Sequence, residues 1–234
     1  MSISPRKEEA VDTGIRSAIG NIINKLASIP ISVFVASVLG PLGFGVITIV
    51  NLILQYLRYL NLGMLANLQR EIPIAHGKND SEEIKTVYQT IFTNYSITTL
   101  VGLLVIFLLF VNDINFSGEL LGHHFFLMAL IYVFSNLLSF YCAYVKAEGL
   151  FIVYGNYELI TKVTSPLTTF ILVYFFALNG MIASLFMIQI IGLIYILRTI
   201  KIPVIKYKID IKKTLELMST GLPMFLNKIV DGIY

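Results

Sequence analysis

Most of the chain lies in six long apolar stretches, at about 15–38, 40–62, 87–110, 123–145, 150–177 and 180–200. Each stretch is roughly 20 residues or longer, which is enough for an α-helix to cross about 30 Å of hydrocarbon. The chain is 56% hydrophobic over 234 residues, and a soluble domain could not keep so much apolar surface away from water. The sequence therefore predicts an all-α fold, a polytopic bundle of six transmembrane spans.

The distribution of Lys and Arg around these stretches predicts their orientation. The short connections at 40–45, 111–122 and 177–180 contain neither residue. The segments on the other side carry Arg6, Lys7, Arg70, Lys78, Lys85, Lys146, Arg198, Lys201, Lys206, Lys208, Lys212 and Lys213. Because cytoplasmic loops of membrane proteins are enriched in these residues, we expect the N-terminus in the cytoplasm. The expected location is the cell inner (plasma) membrane, in contact with membrane lipids and without a nucleic-acid partner.

Composition shifts divide the chain into four parts. We expect a cytoplasmic tail at 1–14, a six-span lobe at 15–200, a basic cytoplasmic linker at 201–220, and the start of a seventh span at 221–234. In the linker, Asp210 is a candidate cap for a short amphipathic helix with Ile211, Leu215 and Met218 on one face. The polar segment at 69–85 separates the second and third spans, with Asp80 or Ser81 as a candidate N-cap. Fourteen residues cannot cross a membrane, so the chain reads as the front part of a longer protein.

Polar side chains follow one helical face in three of the predicted spans. They recur three or four residues apart, which is the spacing of neighbours on a helix. Stripes of this kind are costly against lipid and indicate a water-accessible cavity, although hydrogen bonding between helices explains the Ser and Thr positions as well. The members are Ser17, Asn21, Asn24, Lys25, Ser28 and Ser32, then Thr48, Asn51, Gln55 and Arg58, then Tyr154, Glu158, Thr161, Lys162 and Ser165.

Charged residues within the spans strengthen the case for a cavity. Lys25 and Lys162 lie deep in the first and fifth spans, where a lysine costs about 3 kcal/mol unless a cavity or a partner receives it. Glu158 precedes Lys162 by four residues, the favourable spacing for a helical ion pair, so this pair is either a structural bridge or part of a site. Arg58 is either a site residue or an anchor to lipid head groups, since it lies near the cytoplasmic end of its span.

Two prolines are placed next to the membrane lysines. Pro166 lacks the N–H that would bond the carbonyl of Lys162, and Pro30 likewise frees the carbonyl of Leu26. Both should bend their helices close to the turns that carry Lys25 and Lys162. Bent helices around a charged cavity suit a transporter that opens alternately to the two sides of the membrane.

Other kinds of site find little support. The chain has no Walker-type phosphate loop and no nucleotide-binding fingerprint. His123 and His124 lack Cys or acidic neighbours at metal-ligand spacing. We therefore expect no enzyme activity, no catalytic residues, no metal and no cofactor.

Three short motifs carry a resemblance to a known family. The segment VLGPLGFG at 38–45 resembles an LGP…FG junction after the first span, and LNLGM at 60–64 followed by Arg70-Glu71-Ile72 resembles the end of the second. Gly221-Leu222-Pro223 after a basic linker is similar to the start of the seventh. In these features the chain resembles polysaccharide (O-antigen or capsule repeat unit) flippases. Their superfamily, the multidrug/oligosaccharidyl-lipid/polysaccharide exporters, also holds multidrug and toxin extrusion antiporters and the lipid II flippase. Members normally have twelve or more spans in two lobes, and this chain corresponds to the N-terminal lobe only.

The resemblance implies a substrate. It would be an oligosaccharide linked through pyrophosphate to a polyprenol, flipped from the cytoplasmic to the outer leaflet for surface polysaccharide biosynthesis. A glycan polymerase and other surface-polysaccharide assembly proteins are candidate partners. Cationic side chains in a cavity would then pair with the pyrophosphate. The candidate binding residues are Lys25, Lys162, Arg58, Lys228, Asn21, Asn24, Asn51 and Gln55, and the candidates for ion coupling are Glu158 and Asp231.

Three alternatives stay open at this point. A multidrug or cation antiporter of the same fold would need acids in its cavity, whereas lysines predominate here. A membrane-embedded glycan polymerase or acyltransferase would need catalytic groups in a large outer loop, and these loops are short. A non-catalytic membrane assembly subunit would suit a chain of half the usual length.

Overall fold

Every element that the structure describes is an α-helix. The computed structural model describes residues 5–111, 124–200 and 206–231, with side chains described for 12–111, 124–200 and 206–223. Four of the helices are long and apolar enough to cross a membrane, which confirms the all-helical membrane bundle. In chain order the helices are α1 (Pro5–Tyr59), α2 (Met64–Gly77), α3 (Ser81–Val111), α4 (Phe125–Ala147), α5 (Phe151–Thr199) and α6 (Ile211–Asp231).

Helices α1 and α5 are each broken once near the middle. Their apolar parts are 48 and 49 residues long, more than twice the roughly 20 residues that one crossing needs. The backbone leaves helical geometry at Gly40 (φ 63°, ψ −177°) and at Ala177 (φ 47°, ψ −120°). These breaks coincide with the junctions that the sequence predicts between the first and second and between the fifth and sixth apolar stretches.

Helix α5 folds back on itself at its break. The hydroxyl of Thr169 donates a hydrogen bond to the hydroxyl of Ser184 at 3.3 Å. Farther from the break, Gly192 packs against the ring of Tyr157. Residues near Ala177 contact each other across the break, and residues farther away on one side contact residues farther away on the other, so the two halves of α5 run antiparallel.

The first half of α1 lies along the first half of α5 and runs in the same direction. Asn24 reaches Lys162, and Phe34 packs on Phe170 with ring centroids 4.8 Å apart. The second half of α1 shares a core with α3 and α4. Its buried residues form one apolar core with those helices and the second half of α5: Val46, Ile47, Val50, Leu54, Leu57, Ile106, Met128, Ile131, Tyr132 and Ile182.

Helix α2 is absent from the sequence-based expectations, which place a polar connection at 69–85. It lies against α3, α4 and α6 at the end of the bundle where α3 starts and α4 ends. Its buried face is Met64, Asn67, Leu68, Ile72 and Ala75, spaced as one side of a helix. Charged contacts close the same end: His76 with Glu148 at 3.3 Å and Lys213 with Glu83 at 3.7 Å. We call this the basic end, since α2, α4 and α6 carry their Lys and Arg there.

Two predicted caps are confirmed. The carboxylate of Asp80 accepts a hydrogen bond from the N–H of Glu83 at 2.9 Å, and that of Asp210 accepts one from the N–H of Lys213 at 3.0 Å. Helix α6 runs to Asp231 through Pro223 and includes positions 220–221, where the sequence predicts that the seventh span starts. Helix α1 likewise includes residues 5–14, where the sequence predicts a tail. The expected outer connection at 112–122 lies outside the described residues.

Replacing Gly40 with Ala should destabilise the bundle. A Cβ there meets nothing within 4 Å, so the cost is conformational: an L-residue in this region of φ and ψ, which is essentially restricted to glycine, is unfavourable by about 1–3 kcal/mol. We expect a lower midpoint of thermal unfolding in detergent micelles. Gly45→Ala is the matched control, because a Cβ there also meets nothing and the backbone is helical. Equal midpoints for the two variants would contradict the break.

Candidate functional site

A polar cavity opens between α1, α2, α4 and α5, towards the basic end of the bundle. Its volume is about 400 Å³. The last turn of α1, the first turns of α2, α4 and both halves of α5 contribute lining residues. The polar and charged lining residues are Arg58, Gln69, Ser135, Ser139, Cys142, Lys146, Tyr154, Tyr157, Glu158, Thr161, Lys162 and Gln189.

The charge of the lining is predominantly positive. Arg58, Lys146 and Lys162 come from three different helices, and Glu158 is the single acid among the described lining residues. The ammonium of Lys162 lies 2.9 Å from the carboxylate of Glu158, so the predicted ion pair is confirmed. The described lining therefore has three cations to one acid, an excess that favours an anionic ligand.

A chain of polar contacts connects the lining residues on α4 and α5. The ammonium of Lys146 lies 3.9 Å from the ring centroid of Tyr154, a cation–π contact. The hydroxyl of Tyr154 donates to Glu158 at 2.8 Å, and Glu158 in turn pairs with Lys162. The contacts run from the end of α4 to the third turn of α5, so the cavity is polar from its mouth to its depth.

A side chain of α1 contacts α5 one turn before Pro166. Proline at position 166 leaves the carbonyl of Lys162 without its usual donor in the helix. In the structure the side-chain amide of Asn24 donates to that carbonyl at 3.0 Å. Asn24 therefore satisfies a backbone group that would otherwise be unpaired inside the membrane, and it fixes the turn of α5 that carries Lys162.

The predicted site residues fall into three groups. Lys162, Arg58 and Glu158 line the cavity, and Asn24 lies directly behind it. The side chains of Lys228 and Asp231 lie outside the described residues. The remaining candidates are exposed on α1 and are not among the described lining residues: Asn21, Lys25, Asn51 and Gln55. The side-chain amide of Gln55 donates a hydrogen bond to the hydroxyl of Tyr59 at 3.3 Å.

Several lining residues are absent from the sequence-based candidates. The sequence places Lys146 in a connection between spans. In the structure it lies in the last turn of α4, where it lines the cavity. Gln189 is a polar amide within an apolar stretch, and this alone could have identified it as a candidate lining residue. Ser135 and Ser139, four residues apart on α4, form a short stripe of the kind used for the other spans. Gln69 lies on α2, a helix that the sequence reading does not anticipate.

Two solved transporters share the fold of this chain. A crystal structure of MATE in complex with MaD5 matches with a TM-score of 0.69 at 16% identity, over 97% of this chain and 55% of its own. The outward-facing conformation of a multidrug resistance MATE family transporter of the MOP superfamily matches with a TM-score of 0.65 at 14% identity, over 97% and 54%. No family model and no curated protein matches the sequence.

The chain has the MATE transporter fold. At these identities the likeness concerns the fold alone. The chain spans about half the length of either transporter. Together with four long apolar helices, the shared fold makes this a multi-pass membrane protein.

Removing the Asn24 amide should destabilise the α1–α5 contact. In Asn24→Ala the Lys162 carbonyl loses its donor, and a buried unsatisfied group costs about 1–3 kcal/mol. Pro166→Ala restores an N–H at position 166 that can bond the same carbonyl within the helix. We therefore expect the double variant to lose less stability than Asn24→Ala alone, as measured by the free energy of unfolding across the four-variant cycle.

The matched control for this cycle is Asn21→Ala, since Asn21 is an exposed amide on the same helix. Its effect on the free energy of unfolding should be close to zero. Strict additivity of Asn24→Ala and Pro166→Ala would show that the carbonyl of Lys162 does not link the two residues.

Proposed function

We propose that this chain is the N-terminal lobe of a transporter that flips polyprenyl-pyrophosphate-linked oligosaccharides to the outer leaflet. In this proposal α1 and α5 each cross the membrane twice and α3 and α4 once, which gives six spans with the basic end in the cytoplasm. The breaks at Gly40 and Ala177 and the folding back of α5 support that count. The concentration of Lys and Arg at one end supports the orientation.

The excess of cations in the cavity is the observation that supports a pyrophosphate-containing substrate. A pyrophosphate cannot enter hydrocarbon without compensation, and charge-assisted hydrogen bonds from Lys and Arg provide it. Lys162 and Arg58 are the proposed pyrophosphate ligands. Since Glu158 already holds Lys162, an entering anion would share that ammonium or release the carboxylate.

The uncharged lining residues suit the rest of the substrate. Hydroxyl and amide groups from α2, α4 and α5 can hydrogen-bond a sugar, while the prenyl chain remains in lipid. These groups belong to Gln69, Ser135, Ser139, Thr161 and Gln189. Glu158, in contact with Lys162 and Tyr154, is the proposed carrier of a coupling ion or proton, with Asp231 as the second candidate from the sequence.

The exposed polar residues of α1 fit a larger assembly. Asn21, Lys25, Asn51 and Gln55 face away from the described bundle. In a two-lobed transporter they would face the second lobe and extend the cavity across it. Lys228 would reach the same space from the seventh span.

Alkylation of Cys142 tests the ligand class directly. Cys142 is the single cysteine of the chain and lines the cavity, so maleimide labelling reports cavity access without further engineering. Farnesyl pyrophosphate should slow the labelling of purified protein, and farnesol at the same concentration should not. In Lys162→Ala the half-protecting concentration should rise about 10- to 100-fold, because a hydrogen bond to a charged group contributes about 1.5–3 kcal/mol.

The control is Lys85→Ala, since Lys85 is an exposed lysine on α3 outside the described cavity lining. It should leave the half-protecting concentration unchanged. Equal protection by farnesol, or an equal loss of protection in Lys85→Ala, would remove the basis for a pyrophosphate site.

A multidrug transporter is the second candidate, and Glu158 is the residue that favours it. A carboxylate in the cavity could hold an organic cation if Lys162 moved away, and one of the solved structures with this fold is a multidrug resistance transporter. Tetraphenylphosphonium should then protect Cys142 from labelling, and Glu158→Gln should abolish that protection. Under the flippase proposal tetraphenylphosphonium gives no protection in either protein.

A further inference from the structure

Helix α6 presents three distinct faces. Leu217 and Gly221 face the bundle and are buried. Ile211, Leu215 and Leu222, spaced four and seven residues apart, form an apolar stripe that is exposed. A third face is polar and exposed, with Lys212, Glu216 and Ser219 at the same helical spacing.

The apolar stripe is largely exposed. Ile211 is 71% and Leu215 is 62% accessible. An exposed apolar face beside an exposed polar face, as in the first turns of α6, is typical of a segment at a membrane interface.

The segment before α6, residues 206–210, has no regular secondary structure and is also both apolar and basic. Tyr207 and Ile209 alternate in sequence with Lys206 and Lys208, and the two apolar residues are 69% and 78% accessible. Lys206, Lys208 and Lys212 form no ion pair with any residue within the described ranges.

This segment and α6 are held firmly on the bundle. The amide of Asn67, buried on α2, donates to the carbonyl of Leu217 at 2.5 Å, and Thr220 donates back to Asn67 at 3.1 Å. The N–H of Lys208 donates to the hydroxyl of Thr93 on α3 at 2.9 Å. The exposed apolar and basic residues are therefore fixed against α2 and against the part of α3 around Thr93.

We propose that this surface binds the anionic lipid head groups of the membrane. The linker surface comprises Lys206, Tyr207, Lys208, Ile209, Ile211, Lys212 and Leu215. Its apolar residues would enter the boundary between head groups and acyl chains, and its three unpaired lysines would lie at the level of the lipid phosphates. Complementary charge selects an anionic surface over a zwitterionic one. This inference does not depend on the substrate of the cavity.

The absence of tryptophan from the chain allows a direct test. Tyr207→Trp introduces a single fluorophore into the linker surface of the full chain. In nanodiscs of phosphatidylcholine with phosphatidylglycerol, its emission should be blue-shifted and quenched by lipids brominated close to the head group. Quenching should increase by at least about twofold between 0 and roughly 40% phosphatidylglycerol. Replacing Lys206, Lys208 and Lys212 by Gln should remove that dependence.

Two further variants make the outcome decisive. Ser219→Trp places the fluorophore on the polar face of α6, and its emission should be water-like and unquenched in the same nanodiscs. Ile209→Trp is a second reporter on the linker surface, in case Tyr207→Trp disturbs the contact of Tyr207 with Phe92, whose ring centroid lies 5.3 Å away. Water-like emission from both reporters would overturn the proposal and leave the surface to a protein partner. Quenching that is independent of phosphatidylglycerol would overturn the choice of anionic lipid.

Discussion

The hydrogen bond from Asn24 to the carbonyl of Lys162 is the contact on which the site depends. A proline in a spanning helix leaves the carbonyl four residues earlier without its N–H donor. Because no water is present in the hydrocarbon, a neighbouring group must donate a hydrogen bond to that carbonyl. Asn24 is that donor at 3.0 Å, and it joins the first half of α1 to the turn of α5 that precedes Pro166. The same turn of α5 carries the ammonium of Lys162 into the cavity, where Glu158 holds it. Asn24 therefore both satisfies the backbone carbonyl of Lys162 and helps to position the Lys162 side chain.

The polar network also explains why the cavity can hold charge without a bound ligand. Two opposite charges at 2.9 Å largely compensate each other, and the hydroxyl of Tyr154 occupies the second oxygen of Glu158. Lys146 lies against an aromatic ring, which offers a cation partial compensation at little desolvation cost. An entering anion would therefore exchange with the existing partners of Lys162 and Lys146. Such an exchange makes binding reversible, which a transporter needs in order to release its cargo.

The sequence predicts the helical class, the positions of the two breaks, both carboxylate caps and the Glu158–Lys162 pair, because each follows from local spacing. It does not predict α2 or the contribution of Lys146. A fourteen-residue helix with several polar residues resembles a loop when only hydropathy is considered, and its buried face is defined by α3, α4 and α6. Lys25 and Lys162 look equivalent in sequence, since both lie deep in an apolar stretch. Only the packing of α1 on α5 turns Lys162 into the cavity and Lys25 away from it.

The fold alone cannot choose between substrates, because transporters with this fold are built from the same helices whatever their cargo. The choice rests on the sign of the charge within the cavity, and here three cations surround one acid that is already paired. A cation entering this space would have to displace Lys162 from Glu158 and remain close to Arg58 and Lys146. An anion can share the ammonium of Lys162 with Glu158 or release that carboxylate, and Arg58 and Lys146 attract it as well. The excess of cations in the described lining is thus the feature that underlies our proposal of an anionic substrate, in a fold that a multidrug resistance transporter also has.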